Sequence, residues 1–233
     1  MKFEKTEVFN FDGALRGMRN PMNSWDRSDS GLTIMNPTDV EFGYEPNYEY
    51  IIGENDLNLA QRLIKGGNEH RKFLRQIIVS VDITAPLYYW KEFDQYKINV
   101  TTNSTSTMHK LTSHPITLEC FEIDDYDEKS ISDVWLENED GYYGFSIEDN
   151  LIPFLEMLRQ KYLETKDKKY WKELVRWLPE SWLQTRTVTM NYENLRNMYF
   201  QRKNHKLTEW SESFIKWVES LPYAKELIMY KGE

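Results

Sequence analysis

Amide and guanidinium side chains recur at helical spacing near the end of the chain. Asn194, Leu195, Met198 and Arg202 follow Asn191 at offsets of three, four, seven and eleven residues, so all five share one helix face. An asparagine amide both donates and accepts hydrogen bonds, which suits the edge of a pyrimidine or a flavin, and arginine suits a carbonyl or phosphate oxygen. This face predicts one wall of a ligand pocket. The same pattern is also typical of an ordinary helix edge that faces solvent.

A second polar stretch covers residues 99–109, with the sequence NVTTNSTSTMH. Eight of its eleven residues are Asn, Ser or Thr. Such hydroxyl and amide groups could hold phosphate or sugar oxygens. They could equally cap a short helix, so both interpretations stay open at this point.

Other kinds of site are not indicated by the sequence. The four histidines lack the spacing of metal ligands, which predicts no metal site. The chain has no Gly-x-Ser-x-Gly motif, no phosphate-binding glycine loop and no dinucleotide fingerprint. Cys120 is the only cysteine, which excludes an intramolecular disulfide framework and indicates a reducing, intracellular setting. We expect this cysteine to be inert, since no base lies near it in sequence.

Charge and hydropathy narrow the choice of partners. The net charge of −9 argues against binding nucleic acid through a basic surface. No run of about 18 apolar residues occurs, so we expect no membrane span. The first five residues lack the apolar stretch of a signal peptide, and we therefore expect a cytoplasmic protein.

The elements that would position these residues alternate between strand and helix patterns. Residues 76–84 are rich in β-branched side chains and predict a strand, and an aromatic helix is expected over 87–96 after Pro86. Residues 1–54 predict a short strand, a turn of helix near 14–18 and long loops. Helical patterns dominate the second half, at 146–162, 170–177, 189–203 and 207–221. The fold class is therefore α+β or mixed α/β, in a single domain over 1–233.

Residues 122–140 are strongly acidic, with nine acids and one base. This composition favours a solvated loop or insertion near 119–145. A calcium-binding loop is the weaker alternative, because the ligand spacing of an EF-hand is absent.

Residues 63–111 have an order of motifs that is known from one family. Gly67-Asn68-Glu69 follows a helix end, a strand comes next, and Ala85-Pro86 then leads through a helix into the polar stretch. Lys110-Leu111 follows that stretch. In residues 187–210, Asn191, Leu195, Asn197 and Arg202 have the mutual spacing of that family's pocket helix. Together the two segments resemble the flavin-dependent thymidylate synthases.

The resemblance implies a central sheet surrounded by helices and an enzyme that converts dUMP to dTMP. It implies FAD as cofactor, with NADPH and methylenetetrahydrofolate as co-substrates and no cysteine nucleophile. Members are typically homotetramers whose sites form at subunit interfaces. By position, Arg202 is the catalytic arginine that polarises the uracil ring. Transferred position by position, the substrate-binding residues are Glu92, Gln95, Lys97, Thr105, Ser106, Thr107 and Arg202, and the cofactor-binding residues are Gln76, Thr102, Asn191, Asn197 and His205.

The family's signature motif is altered in this chain. Gln95-Tyr96-Lys97 stands where the family has Arg-His-Arg, and Glu92 stands where a nucleotide-binding glutamine is common. Lysine does not replace the bidentate phosphate contacts of arginine. The leading hypothesis is a divergent flavin enzyme acting on dUMP or a related pyrimidine nucleotide. The alternative is a catalytically silent or repurposed relative that binds a nucleotide or another small ligand. Arg16, Arg19 and Arg71 are positions to inspect as replacements for the missing arginines.

Overall fold

A computed structural model describes residues 1–124, 135–138, 141–144 and 146–232, with only the backbone described at 135–138 and 141–144. The parts of the predicted acidic segment at 125–134 and 139–140 lie outside these ranges. None of the helices in the described ranges combines the length and the hydropathy that a bilayer crossing requires.

Strands form one larger sheet and two hairpins. The four-stranded sheet has the order β1-β4-β8-β5, while β2 pairs with β3 and β6 pairs with β7, both antiparallel. The strands are β1 (Lys2–Phe9), β2 (Gly31–Ile34), β3 (Tyr48–Ile51), β4 (Ile78–Pro86), β5 (Thr101–Ser104), β6 (Trp135–Asn138), β7 (Gly141–Gly144) and β8 (Leu183–Asn191). The region expected to be an acidic loop therefore contains a hairpin.

The helices lie between and after these strands. They are α1 (Phe11–Arg19), α2 (Pro37–Glu41), α3 (Glu54–Lys65), α4 (Leu87–Phe93), α5 (Thr107–Lys110), α6 (Ile152–Thr165), α7 (Lys168–Arg176), α8 (Tyr192–Arg202) and α9 (Ile215–Glu219). A 3₁₀ segment spans Arg71–Gln76, and π-helical turns occur at Ile147–Leu151, Glu209–Phe214 and Ala224–Ile228.

Several predicted boundaries shift by a few residues for local reasons. The predicted helix over 189–203 begins only at Tyr192, because β8 continues to Asn191 and that residue caps the helix. At the start of α3, neither Asn55 nor Asp56 is the cap, because Gly53 precedes the helix and the Asp56 carboxylate accepts other hydrogen bonds. Ser146 caps the helical segment that follows it, since its Oγ accepts from the Asp149 amide at 2.9 Å.

The chain divides into two compact units. The first comprises residues 1–2, 83–95 and 103–187, and the second comprises 3–82, 96–102 and 188–233. In the first unit, a buried apolar cluster lies around α6 and α7 and consists of Leu111, Ile116, Phe121, Leu155, Leu158 and Leu174. In the second unit, large buried rings are prominent, namely Phe73, Tyr192, Tyr199, Trp210 and Phe214. The prediction of a single domain remains a prediction.

Candidate functional site

The start of α8 is stabilised by a reciprocal pair of asparagines. The Asn191 Oδ1 accepts from the Asn194 backbone amide at 2.9 Å, and the Asn194 Oδ1 accepts from the Asn191 amide at 3.2 Å. This is a capping box, which satisfies amide groups that a helix start leaves unpaired. Leu195 and Met198, on the same face, are fully buried. At Leu195 and Met198 this helix face is part of the apolar core. Packing of the helix therefore explains the spacing that was also interpreted as a pocket wall.

The end of α8 differs, because Arg202 is held there by aromatic side chains. Its Nε donates to the Tyr96 hydroxyl at 2.8 Å. Its guanidinium carbon lies 4.7 Å from the centre of the Trp210 ring and 5.4 Å from that of Tyr96. The Tyr96 hydroxyl in turn donates to Gln201 Oε1 at 3.0 Å. We call Tyr96, Gln201, Arg202, His205 and Trp210 the Arg202 cluster.

This arrangement restricts the guanidinium in two independent ways. The hydrogen bond to Tyr96 sets the direction of the Nε–H, and the two ring contacts, which are attractive for a cation, limit rotation of its plane. Arg202 is only half-buried, so water or a ligand can reach part of it. The cluster can therefore present a positively charged donor in a defined direction.

His205 belongs to the same turn as Arg202. Its backbone amide donates to the Arg202 carbonyl at 3.0 Å, and its Nδ1 accepts from the Leu207 amide at 3.2 Å. Its ring lies 6.4 Å from that of Trp210, in an edge-on orientation. His205 thus stabilises the turn after α8 through its Nδ1.

A cleft of about 590 Å³ lies elsewhere in the second unit. Its apolar lining includes Met18, Leu59, Leu63 and Phe73, and its polar lining includes His70, Lys72 and Gln76. We call it the His70 cleft. Gly17 also lines it, and a Cβ at that position would lie 2.7 Å from Gln76 Oε1, so the glycine leaves room for the glutamine side chain. Gln76 is the one predicted cofactor residue among its lining.

His70 is a cleft residue that sequence reasoning did not select as functional. Its side chain is exposed, and its spacing from the other histidines indicates no site. The available signal was its place directly after the Gly67-Asn68-Glu69 motif, within the segment that resembles a known family.

Thr105, Ser106 and Thr107, the predicted substrate-binding residues of the polar stretch, make hydrogen bonds or helix-start contacts within the first unit. Ser106 caps α5, with its Oγ accepting from the His109 amide at 3.1 Å. The Thr105 amide donates to the Thr185 carbonyl at 2.8 Å, and the Thr105 carbonyl accepts from Gln184 Nε2 at 3.0 Å. Thr107 is the first residue of α5. These contacts match the helix-capping alternative for this stretch.

The remaining predicted residues lie mostly at the surface. Gln95, Lys97 and Asn197 are exposed, and Glu92 and Thr102 are half-buried. The Gln95 amide donates to the Lys91 carbonyl at 3.3 Å, so it is held against its own helix end.

The three arginines considered as replacements pair with carboxylates. Arg19 is buried, and its Nε lies 2.5 Å from Asp56 Oδ1. Arg71 donates from Nε to both oxygens of Glu193, at 3.1 and 3.0 Å. Arg16 is exposed and pairs with Asp12 one helical turn away. Arg19 and Arg71 are therefore part of the internal ion-pair structure of the second unit.

The pKa of the Asp56 carboxylate indicates that its ion pair with Arg19 is maintained at neutral pH. Burial by itself would raise the pKa of Asp56, but hydrogen bonds from Ser30, Ser28 and Arg19 outweigh burial and place the pKa below its usual value. The carboxylate is therefore ionised at neutral pH and keeps Arg19 engaged.

Arg186 is a cation in the first unit that the sequence did not single out. Its guanidinium carbon lies 4.2 Å from the centre of the Trp90 ring, and its Nη1 donates to Asp94 Oδ1 at 2.7 Å. No motif marks Arg186, since its neighbours Asp94 and Trp90 are about ninety residues away in sequence.

Comparison with solved structures identifies the fold of this chain, whereas comparisons of sequence find no match. No family model matches the chain, and no curated protein matches it in sequence. A solved structure of the flavin-dependent thymidylate synthase ThyX from Helicobacter pylori, complexed with FAD and dUMP, matches with a TM-score of 0.63 at 17% identity, over 99% of this chain and 98% of that one. A second structure of ThyX from that organism with FAD and dUMP matches over 98% and 97%, with the same score and identity. The chain has the ThyX fold. The expected fold and fold class are thereby confirmed.

Proposed function

We propose that this protein is a flavin-dependent enzyme of thymidylate synthase type. It binds FAD and methylates dUMP or a related pyrimidine nucleotide, with NADPH and methylenetetrahydrofolate as co-substrates. The observation that supports this most directly is the Arg202 cluster. It holds an arginine in a fixed orientation at the position that the family resemblance assigns to catalysis, in a chain that has the ThyX fold over nearly its full length.

The residues of the His70 cleft fit a flavin ring system. Its volume lies within the range of about 300 to 1,000 Å³ that is common for small-ligand sites. Met18, Leu59, Leu63 and Phe73 offer apolar surface for the ring faces, while Gln76 and His70 offer hydrogen-bonding groups for its polar edge. Lys72 is the cation of this lining and suits an anionic part of the cofactor. When bound, reduced FAD supplies the hydride that the methylation requires.

Arg202 does not line the His70 cleft, so in this proposal it acts on a pyrimidine that meets the flavin at a subunit interface, where the resemblance places the family's sites. Its guanidinium donates to a ring carbonyl and stabilises the negative charge that develops on that oxygen during the reaction. Tyr96 and Trp210 keep the guanidinium in place, so that little reorganisation is needed when the charge appears. The resemblance implies no cysteine nucleophile, so this electrostatic contact rather than a thiolate activates the nucleotide.

A second candidate is a relative that binds a nucleotide without turnover. The observation in its favour is the altered signature motif. Gln95 contacts its own helix end, Ser106 caps α5, and Lys97 is an exposed single cation. A phosphate held by such groups is bound less tightly than by bidentate arginines.

We further propose that the protein works as a cytoplasmic homotetramer. The β2–β3 hairpin region supports an assembly interface, because residues 31–51 expose several large apolar side chains: Leu32, Met35, Phe42, Tyr44 and Tyr48. Residues 31–51 also carry acidic side chains but no lysine or arginine.

The deciding experiment measures flavin retention and then turnover. The purified protein is mixed with FAD, passed through gel filtration and examined for a flavin absorbance band. Retained flavin followed by conversion of dUMP to dTMP supports the enzyme. Retained flavin or bound dUMP without dTMP supports the silent relative, and a folded protein that retains neither ligand contradicts both. Arg27→Ala, at an exposed arginine outside the His70 cleft, serves as a control for Arg202→Ala.

A further inference from the structure

A second cleft of about 690 Å³ lies in the same unit and shares no lining residue with the His70 cleft. It is formed by β1, the start of α1, β3 and the turn after α9. Thr6, Phe11, Glu49, Tyr50, Ser220 and Tyr223 are among its lining residues. We call it the Tyr50 cleft. Neither the proposed reaction nor any residue predicted from the sequence uses it.

Three aromatic rings form part of its walls. The Phe11 ring is nearly parallel to that of Tyr50, with centres 5.9 Å apart and an angle of 12°. The Tyr223 ring meets Phe11 edge-on at 5.8 Å and 71°. The Tyr223 hydroxyl accepts from the Ile52 amide at 2.9 Å and lies 3.3 Å from the Tyr50 carbonyl oxygen, to which it donates. These bonds fix Tyr223 to β3, so the aromatic wall is set before any ligand enters.

Tyr223 is also held in an unusual backbone conformation. Its φ of 55° lies in the left-handed region, which a bulky side chain rarely adopts. Its hydroxyl contacts with β3 and the ring contact with Phe11 stabilise this conformation and direct the ring toward the cleft.

The Tyr50 cleft has one carboxylate and no basic side chain among its described lining residues. Glu49 is the charged residue of its lining, and of the described residues that line it none is Lys, Arg or His. Burial, followed by the nearby carboxylates of Asp12 and Asp56, raises the pKa of Tyr50 to about 12, although Arg16 partly opposes them. The phenol therefore stays neutral at physiological pH.

Aromatic faces combined with a carboxylate are features that recognise organic cations. We propose that the Tyr50 cleft is a binding site for a small organic cation that carries an alkylated ammonium group. The alkyl groups contact the half-exposed rings of Tyr50 and Tyr223, behind which Phe11 is buried, and Glu49 supplies the opposing charge. A metal ion suits the cleft poorly, because the described residues contain no group of three side chains able to hold one.

Choline and its neutral isostere 3,3-dimethyl-1-butanol test the proposal directly. The two have the same shape and differ by one charge, so isothermal titration of the full chain with each separates charge recognition from shape. We expect choline to bind roughly tenfold more tightly. Equal affinity, or no binding of choline, would overturn the proposal.

Variants then locate the site. Tyr50→Leu removes an aromatic face and should weaken choline binding roughly fivefold. Trp177→Leu, at an exposed aromatic residue outside the cleft, should leave binding unchanged. If both substitutions weaken binding equally, the site is elsewhere.

A charge variant covers the case in which Tyr50→Leu fails to fold. Glu49→Gln removes the carboxylate from an exposed position and should weaken choline binding, while Glu41→Gln, also exposed but outside the cleft, should not. Equal affinities for the two glutamine variants would contradict the proposal.

Discussion

The two polar stretches that the sequence singles out are used differently. In the stretch at 99–109, hydroxyl and backbone groups are engaged in helix capping and strand contacts, as Ser106 and Thr105 show. At the end of α8, a single cation is held by a hydrogen bond and two aromatic rings. Density of polar residues is thus a weak indicator of a site, because turns and helix ends need the same residues. A charged group restrained in several independent ways by side chains distant in sequence is a better indicator.

The largest effect is expected at Arg202. Replacement by alanine removes the donor that stabilises charge on the pyrimidine, and loss of one such donor typically costs about 10²- to 10³-fold in turnover. Arg202→Ala should lower dTMP formation by this amount while the circular dichroism spectrum and melting temperature stay close to those of Arg27→Ala. Turnover equal to that of the control would show that Arg202 does not take part in the reaction. The end of α8 would then be no better a candidate site than the polar stretch at 99–109.

Much of the fold could be predicted from the sequence because it follows local patterns. In β4, buried and half-buried residues alternate, with Val79, Val81, Ile83 and Ala85 all inside, and this period of two is visible in the sequence. The β2–β3 hairpin was not predicted. Its strands have four residues each, lie within a segment expected to be loop, and expose apolar side chains such as Leu32, so no buried alternation marks them.

The site was less predictable because its contacts are long-range. Tyr96 lies 106 residues before Arg202, and no periodicity relates the two positions. The His70 cleft likewise draws residues from α1, α3 and the Arg71–Gln76 segment. The resemblance suggested Gln76 and Arg202 individually, but only the fold shows what surrounds each.

A substitution at the start of α8 contrasts a capping residue with Arg202, the proposed catalytic residue at the end of the same helix. Asn191→Ala removes the capping oxygen and should lower the free energy of unfolding by about 0.5–2 kcal/mol. FAD affinity per folded molecule should be unchanged, because the oxygen already accepts the Asn194 amide. Urea unfolding and FAD titration measure the two quantities. A large loss of affinity with unchanged stability would instead support the cofactor-binding role that the resemblance assigns to Asn191.

A substitution at Tyr96 tests the orientation of the Arg202 guanidinium separately from its charge. Tyr96→Phe keeps the ring near the guanidinium but removes the hydroxyl that accepts from Nε at 2.8 Å. We expect turnover to fall roughly 3- to 10-fold, in keeping with loss of one hydrogen bond to a charged group in a half-exposed position. The fall should appear in kcat more than in KM, because the substrate still meets a positive charge. An unchanged kcat would show that Trp210 alone suffices to orient Arg202.

The smallest effect is expected in the polar stretch. Ser106→Ala removes the cap of α5, a four-residue helix at the surface, and should lower the free energy of unfolding by about 0.5 kcal/mol. If the hydroxyl serves only as a cap, then affinity for dUMP and for deoxyuridine, which lacks the phosphate, should change equally little. A selective loss of dUMP affinity would mean that Ser106 contacts the phosphate as the resemblance implies. The polar stretch would then join the Arg202 cluster as part of the binding site, because a serine can accept from a backbone amide and still donate its own proton to a phosphate oxygen.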